Sequence, residues 1–268
     1  MNYENIQFTV EGGIARLTLN RPDKLNSFTD AMHAELRDAL DAIQSGRGEA
    51  AAARVLVLSG AGRGFSAGQD LGDRAMQIKE GKMPDIGNTV ERNYKPLVLR
   101  LQNLRVPTIA AVNGIAAGAG ASVALACDLV VATKSASFLQ AFSKIGLIPD
   151  TGGTWFLPQR VGMAHAMGLA LLADKLPAAK AAEWGLIWEC VADAEFAARI
   201  DALAGQLASA PTKALVRTRQ AMHAAPGHTL EQQLSFEGGF MRELGWSRDY
   251  AEGVQAFMEK RAPNFTGE

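Results

Sequence analysis

The sequence predicts an α/β fold built on parallel strands, and three features predict it. Short, uninterrupted apolar runs at residues 55–58, 108–112 and 128–132 have the length and composition of strands buried on both faces. Helical stretches and long loops separate them, as parallel neighbours require, because a parallel pair needs a crossover connection. Beyond about Asp193 strand signals cease and helical segments take over the rest of the chain.

Each element follows from local pattern. Ile14-Ala15-Arg16-Leu17-Thr18-Leu19 alternates and is rich in β-formers, so it predicts a strand. It stops at Asn20-Arg21-Pro22-Asp23, a strong turn signal. Thr29 is placed to cap a helix whose apolar face is Met32, Leu36, Ala39, Leu40 and Ile43. Residues 186–191 predict a further strand. Residues 81–93 are polar without periodicity and predict a surface loop. Four helices are expected at 194–209, 211–224, 230–244 and 248–260, with Pro211 and Pro226-Gly227 as breaks. The chain therefore divides into a core at 1–195 and a helical C-terminal region at 196–268. No repeat of fixed period and no low-complexity tract stands out.

The chain has 268 residues, long enough for one large domain, and is 48% hydrophobic with a formal net charge of −1. That balance gives no electrostatic reason to expect nucleic acid or an anionic membrane as partner. Cys127 and Cys190 each lie in an apolar run and match no metal-ligand spacing, which predicts reduced thiols. Residues 1–10 lack the apolar core of a secretory leader, and no apolar run reaches membrane-spanning length. A cytoplasmic protein is expected.

Three stretches are candidates for chemistry. Arg63-Gly64-Phe65-Ser66-Ala67-Gly68-Gln69-Asp70-Leu71 directly follows a strand, and its small residues let backbone N–H groups approach a ligand. Residues 112–126, which include Asn113-Gly114 and Gly118-Ala119-Gly120-Ala121-Ser122, run from a strand into a helix with almost no side-chain bulk in its first turn. Free N–H groups and the helix dipole there suit an oxyanion. The spacing matches neither a Walker loop nor a dinucleotide fingerprint. In the third stretch, Gln140-Ala141-Phe142 leads through a short apolar run to Asp150-Thr151-Gly152-Gly153. By residue type alone a glycine turn is the favoured reading of the first stretch and a helix cap that of Asp150, and the second stretch is weak evidence beside close helix–strand packing.

In this order and spacing the three stretches resemble the enoyl-CoA hydratase/isomerase, or crotonase, superfamily, from Asn20-Arg21-Pro22 to Phe257-Met258-Glu259-Lys260-Arg261. The resemblance implies a crotonase fold: a spiral core of repeated ββα units with a C-terminal helical trimerisation region. It implies an acyl-CoA thioester as substrate, with no separate cofactor and no metal, and a homotrimer or a dimer of trimers. It makes the Gln69 and Ala119 N–H groups the oxyanion hole, and puts Ala67, Gly68, Asp70, Leu71, Gly118, Ser122 and Phe142 against the substrate. Lys24, Phe257 and Lys260 become candidates for CoA contact.

Where the family's hydratases carry two glutamates, this chain has Ser122 and Phe142. Neither can act as a carboxylate base, so simple hydration is disfavoured. Asp150 matches a position at which some family isomerases carry a catalytic aspartate, and its neighbours Ile148 and Trp155 are expected to surround it with apolar surface. Residues 140–155 and Glu183-Trp184-Gly185-Leu186-Ile187-Trp188 resemble the branch of the family that turns a ring-epoxide acyl-CoA into an oxepin and shifts 3,4 double bonds to the 2,3 position. An aliphatic Δ3,Δ2-enoyl-CoA isomerase, a thioester hydrolase-like member and a non-catalytic binding protein are the rivals.

Trp155, Trp184 and Trp188 are expected in the core. The four histidines form no metal constellation, and Ser66 and Ser122 have no histidine at a motif-like distance.

Overall fold

The computed structural model describes residues 3–268. The chain opens with a hairpin, β1 (Ile6–Glu11) and β2 (Ile14–Leu19), whose register pairs Ile6 with Leu19 and Glu11 with Ile14. Strand β1 is additional to the sequence reading. Its outward Gln7, Thr9 and Glu11 hide the strand behind a polar edge, while Ile6 is buried. Helix α1 (Asp30–Ser45) follows, capped by the Thr29 hydroxyl, which accepts from Met32 N at 3.2 Å. All five residues of its expected apolar face are buried.

Strand β3 (Val55–Gly60) leads directly into the short β4 (Gly64–Ser66) and then α2 (Gly72–Lys79). After α3 (Ile86–Thr89), a π-helical turn at Val90–Tyr94 and α4 (Lys95–Asn103), the pattern recurs. Strand β5 (Thr108–Val112) passes into β6 (Ile115–Ala117) and α5 (Ala119–Leu125). Strand β7 (Leu129–Thr133) passes into β8 (Ser137–Leu139) and, through a 3₁₀ turn at Ala141–Ile145, into α6 (Gly153–Leu172). This is the expected ββα repeat, and it produces two sheets. The first strands of the repeats join the hairpin and a last strand, β10 (Glu189–Val191), in a six-stranded sheet of order β1-β2-β3-β5-β7-β10, and the second strands form a small sheet with β9 (Leu176–Pro177). Helix α7 (Ala178–Glu183) precedes β10 (Glu189–Val191).

The apolar runs are continuous because the large sheet is covered on both faces. Leu56, Leu58, Ala110, Val112, Val130 and Ala132 face the main core, while Val55, Val57, Ile109, Ala111 and Val131 face a second cluster with Ile200, Leu203 and Ala204. Those last three belong to α8 (Phe196–Ala208), which covers the back of the sheet. Helices α9 (Thr212–Ala224), α10 (Leu230–Leu244) and α11 (Arg248–Glu259) complete the chain. Helix α9 is tied to the core by Arg219, which donates to Asp128 Oδ2 at 3.0 Å and to the Val106 and Leu104 carbonyls.

Several expectations are corrected. Residues 86–94 are helical rather than loop, because the wide π turn breaks the 3.6-residue period that would have betrayed them. The strand expected at 128–132 begins one residue later, since the Asp128 carboxylate is turned onto Thr108 N and Oγ1. Residues 186–188 lie outside β10. Trp155 and Trp188 are 60% and 64% exposed, not core; Trp184 is half-buried and stacks on His165 with ring centroids 3.9 Å apart. Among the described residues no helix is long and apolar enough to cross a membrane, and no group of His, Cys, Asp and Glu could hold a metal ion.

Candidate active site

The loop after β4 is held by a polar frame from residues 21–28. Asn26 is fully buried in a left-handed conformation (φ 54°). Its side chain accepts from Arg21 N and donates to the Ala61 and Gly64 carbonyls, each at 2.9 Å. The Ser66 hydroxyl donates to Asn26 O at 2.9 Å and accepts from Gly68 N at 3.2 Å. Arg21 reaches Asp70 Oδ2 at 3.0 Å, and Asp70 Oδ1 accepts from Gly72 N at 3.0 Å. The Gly72 N–H first, and the Arg21 guanidinium after it, hold the Asp70 carboxyl below its ordinary value against the opposing effect of burial. Asp70 thus latches the loop, and Ser66 braces it.

Gly68 and Gly118 let two backbones meet. Gly68 has φ 87°, and a β-carbon on it would stand 2.8 Å from Ala117 O and 3.3 Å from Ala119 N. Gly118 has φ 51° and ψ −126°, a region open essentially only to glycine, and it turns the chain from β6 into α5. Ala119 is the first residue of that helix, so its N–H has no intrahelical partner. Among the described residues neither the Gln69 nor the Ala119 N–H donates to another backbone group outside regular helices and strands. Helix α5 has only seven residues, so these N–H groups themselves, more than any dipole, would polarise an oxygen placed between them.

The Asp150 segment packs against the same helix. A β-carbon on Gly153 would lie 3.0 Å from Ser122 Oγ and 3.7 Å from Gln140 Oε1. Asp150 is half-buried, and its Oδ1 accepts from the Thr151 hydroxyl at 2.8 Å. Thr151 is buried in a left-handed conformation (φ 56°), a strained choice for a β-branched residue. The residue that caps α6 is Gly152, so the capping role open to Asp150 from sequence belongs to another residue. Ile148 and Trp155, the apolar neighbours of Asp150 in the sequence, are exposed in the single chain.

The remaining expected contacts divide. Phe142 is buried, with its ring edge 3.8 Å from the β-carbon position of Gly118, and so walls the turn before Ala119. Ser122 is fully buried, and its hydroxyl donates to Gly118 O at 3.5 Å. Ala67 and Leu71 lie on either side of Gly68 and Gln69, and both are exposed. Lys24 is exposed on the segment that pairs with the loop, where Ala67 N donates to Leu25 O at 2.8 Å. Phe257 and Lys260 lie on the C-terminal arm, Phe257 82% exposed at the rim of an apolar cavity of about 570 Å³ with Tyr250 and Phe265. No hydrogen bond or ion pair among the described residues joins that arm to Gln69 or Ala119. Arg21, Asn26 and Tyr94, which build the loop, carry no catalytic signature that sequence reasoning would single out.

A family profile described as enoyl-CoA hydratase/isomerase matches residues 9–268. The chain belongs to this family. It is 52% identical over 258 residues to the 1,2-epoxyphenylacetyl-CoA isomerase of Escherichia coli strain K12, covering 96% of this chain and 97% of that one. It is 48% identical to a Rhodobacter capsulatus protein named a probable enoyl-CoA hydratase, over the full length of both. The crystal structure of an enoyl-CoA hydratase from Bacillus anthracis superposes with a TM-score of 0.90 at 31% identity, over 99% of this chain and all of that one. Crotonase architecture and an enzyme acting on CoA thioesters follow from these relationships.

Proposed function

We propose that this member of the family is an acyl-CoA isomerase in which Gln69 and Ala119 N–H groups hold the thioester oxygen and Asp150 moves the proton. The observation that supports the reading is the approach of Gly68, the residue before Gln69, to the Ala119 nitrogen, with neither the Gln69 nor the Ala119 N–H donating to a backbone partner. Hydrogen bonds from both would lower the cost of the enolate, and one such donor is typically worth about 3 kcal/mol of barrier. For a double-bond shift, the Asp150 carboxylate takes a proton from C2 of a 3-enoyl-CoA, leaving a dienolate. It then returns the proton to C4, giving the conjugated 2-enoyl-CoA with no net change in atoms or electrons.

Isomerisation is favoured over hydration because Ser122 and Phe142 supply no carboxylate at the positions where hydratases of the family handle water. The similarity to the epoxyphenylacetyl-CoA isomerase favours 2-(1,2-epoxy-1,2-dihydrophenyl)acetyl-CoA as a substrate, with oxepin-CoA as product and a place in phenylacetate breakdown. There the site acts largely by holding the substrate in position. The apolar groups exposed in a single chain, Trp155, Ile148 and Phe257, fit burial in a homotrimer or dimer of trimers, with Lys24 and Lys260 available to the CoA phosphates.

The test is isomerisation of 3-enoyl-CoA by wild type and Asp150→Asn, followed by absorbance of the conjugated product. Loss of several orders of magnitude in a folded Asp150→Asn variant supports the proton shuttle. Equal rates remove Asp150 from the role, and release of free CoA thiol would favour hydrolysis instead.

A further inference from the structure

Gln69 is held by its side chain as well as by its backbone. Its carboxamide folds back on its own loop: Nε2 donates to Phe28 O and to Asp70 O, each at 3.2 Å, and Oε1 accepts from the Tyr94 hydroxyl at 2.8 Å. The two carbonyls select this orientation, because the reversed amide would set oxygen against oxygen. Around it, Phe28 N donates to Gly68 O at 2.8 Å and Asp70 N to Phe28 O at 2.9 Å. The backbone on either side of the Gln69 N–H is therefore pinned, although Gly68, the residue before it, has the loosest conformational limits in the loop.

Tyr94 itself is rigidly placed. It is 1% exposed, and its ring meets His33 edge-on at 4.5 Å and Phe28 edge-on at 5.8 Å. It also closes the π-helical turn Val90–Tyr94. One extra residue in a helical turn rotates the rest of the helix by about 100°, and such turns concentrate at functional sites. Here the turn sets the register in which Tyr94 reaches Gln69.

We propose that Tyr94 is a positioning residue for the oxyanion hole, acting through the Gln69 carboxamide to aim the Gln69 N–H at the thioester oxygen. The inference rests on the reading of that N–H as an oxyanion donor. A merely structural hydroxyl, satisfied by the nearest amide, would affect stability and leave the reacting oxygen alone.

The experiment compares wild type, Tyr94→Phe, Gln69→Met and the double variant, as full-length chains. Tyr94→Phe keeps the ring and removes the hydroxyl; Gln69→Met keeps the chain length and the peptide N–H. Two quantities are read: kcat and KM for 3-enoyl-CoA isomerisation, and the infrared carbonyl band of bound butyryl-CoA carrying ¹³C at the thioester carbon. In wild type the band is expected below that of free butyryl-CoA. In Tyr94→Phe it is expected to move back towards the free value, with kcat reduced about tenfold and KM within about twofold. The double variant should be no worse than Gln69→Met alone. A shifted wild-type band that Tyr94→Phe leaves unchanged overturns the inference while the oxyanion reading stands, as do losses that multiply in the double variant. A wild-type band with no shift overturns the oxyanion reading and the inference with it.

Discussion

Gly68 and Ala119 approach so closely that a β-carbon on Gly68 would stand 3.3 Å from the Ala119 nitrogen, with Ala117 O nearer still at 2.8 Å. The second distance is shorter than real β-carbons tolerate, and the φ of 87° is one that L side chains rarely adopt. Gly68→Ala is therefore expected to push the two N–H groups apart. If the proposed isomerase reading holds, kcat for 3-enoyl-CoA should fall by about 100-fold, the scale of losing one oxyanion donor, in a protein whose circular dichroism spectrum stays folded. Unchanged turnover would place the oxyanion elsewhere.

Asp70 is read as a latch, which Asp70→Ala tests. The loss of its bonds to Gly72 N–H and Arg21 should cost about 1 kcal/mol of stability, at the low end for charged hydrogen bonds because the pair is partly solvated. Turnover should fall by about tenfold as the loop loosens. The carboxyl is held below its ordinary value, so the latch stabilises the fold above about pH 4. It weakens as the pH falls through the lowered value. Chemical denaturation at pH 7 and pH 3 should show the Asp70→Ala deficit shrinking at the lower pH.

His33 is 1% exposed with both ring nitrogens unpartnered, and burial first, then Arg37, lowers its pKa from 6.5 to about 4. The folded state therefore holds the neutral ring. Above pH 6.5 its contribution is complete; between pH 6.5 and about 4 the unfolded chain binds a proton that the folded chain refuses, and stability falls. The loss across that window amounts to about 3 kcal/mol. His33→Leu should flatten the slope of unfolding free energy over this range, and an unchanged slope would assign it to other groups.

Arg219 is almost wholly buried and anchors α9 through Asp128 and the carbonyls of Val106 and Leu104. Arg219→Ala leaves Asp128 without its cation and is expected to cost about 3–5 kcal/mol in urea denaturation. Adding Asp128→Asn should recover part of that loss, because the uncompensated charge is then gone.

How much of the fold was legible depends on range along the chain. Strands β3, β5 and β7 could be read because burial on both faces leaves almost no polar position in a run such as 108–112. Helix α10 was legible to both ends, from Leu230 to Leu244, because a capping box at Thr229 and Gln232 starts it and Gly245 follows it. Strand β1 was not, since one face points to water at the sheet edge. The helix at 86–94 was not, since a π turn has no 3.6-residue signature.

The site divides in the same way. Glycine at 68 and 118, the absence of carboxylates at 122 and 142, and an acid at 150 are facts of sequence, and the resemblance turned them into roles. That reasoning placed Asp70 and Ser122 against the substrate; the structure adds that Asp70 latches the loop through Arg21 and Gly72 and that Ser122 is buried.

The sequence by itself determined the α/β class, the buried parallel strands and the types of residue available to the chemistry, because these depend on local periodicity and composition. Only the tertiary structure decided that Gly68 touches Ala119, that Gln69 meets Tyr94 and that Asp70 holds Arg21. Those contacts join residues some 25 to 50 positions apart. No local pattern encodes them, for they exist only once hydrophobic burial has brought three ββα units together.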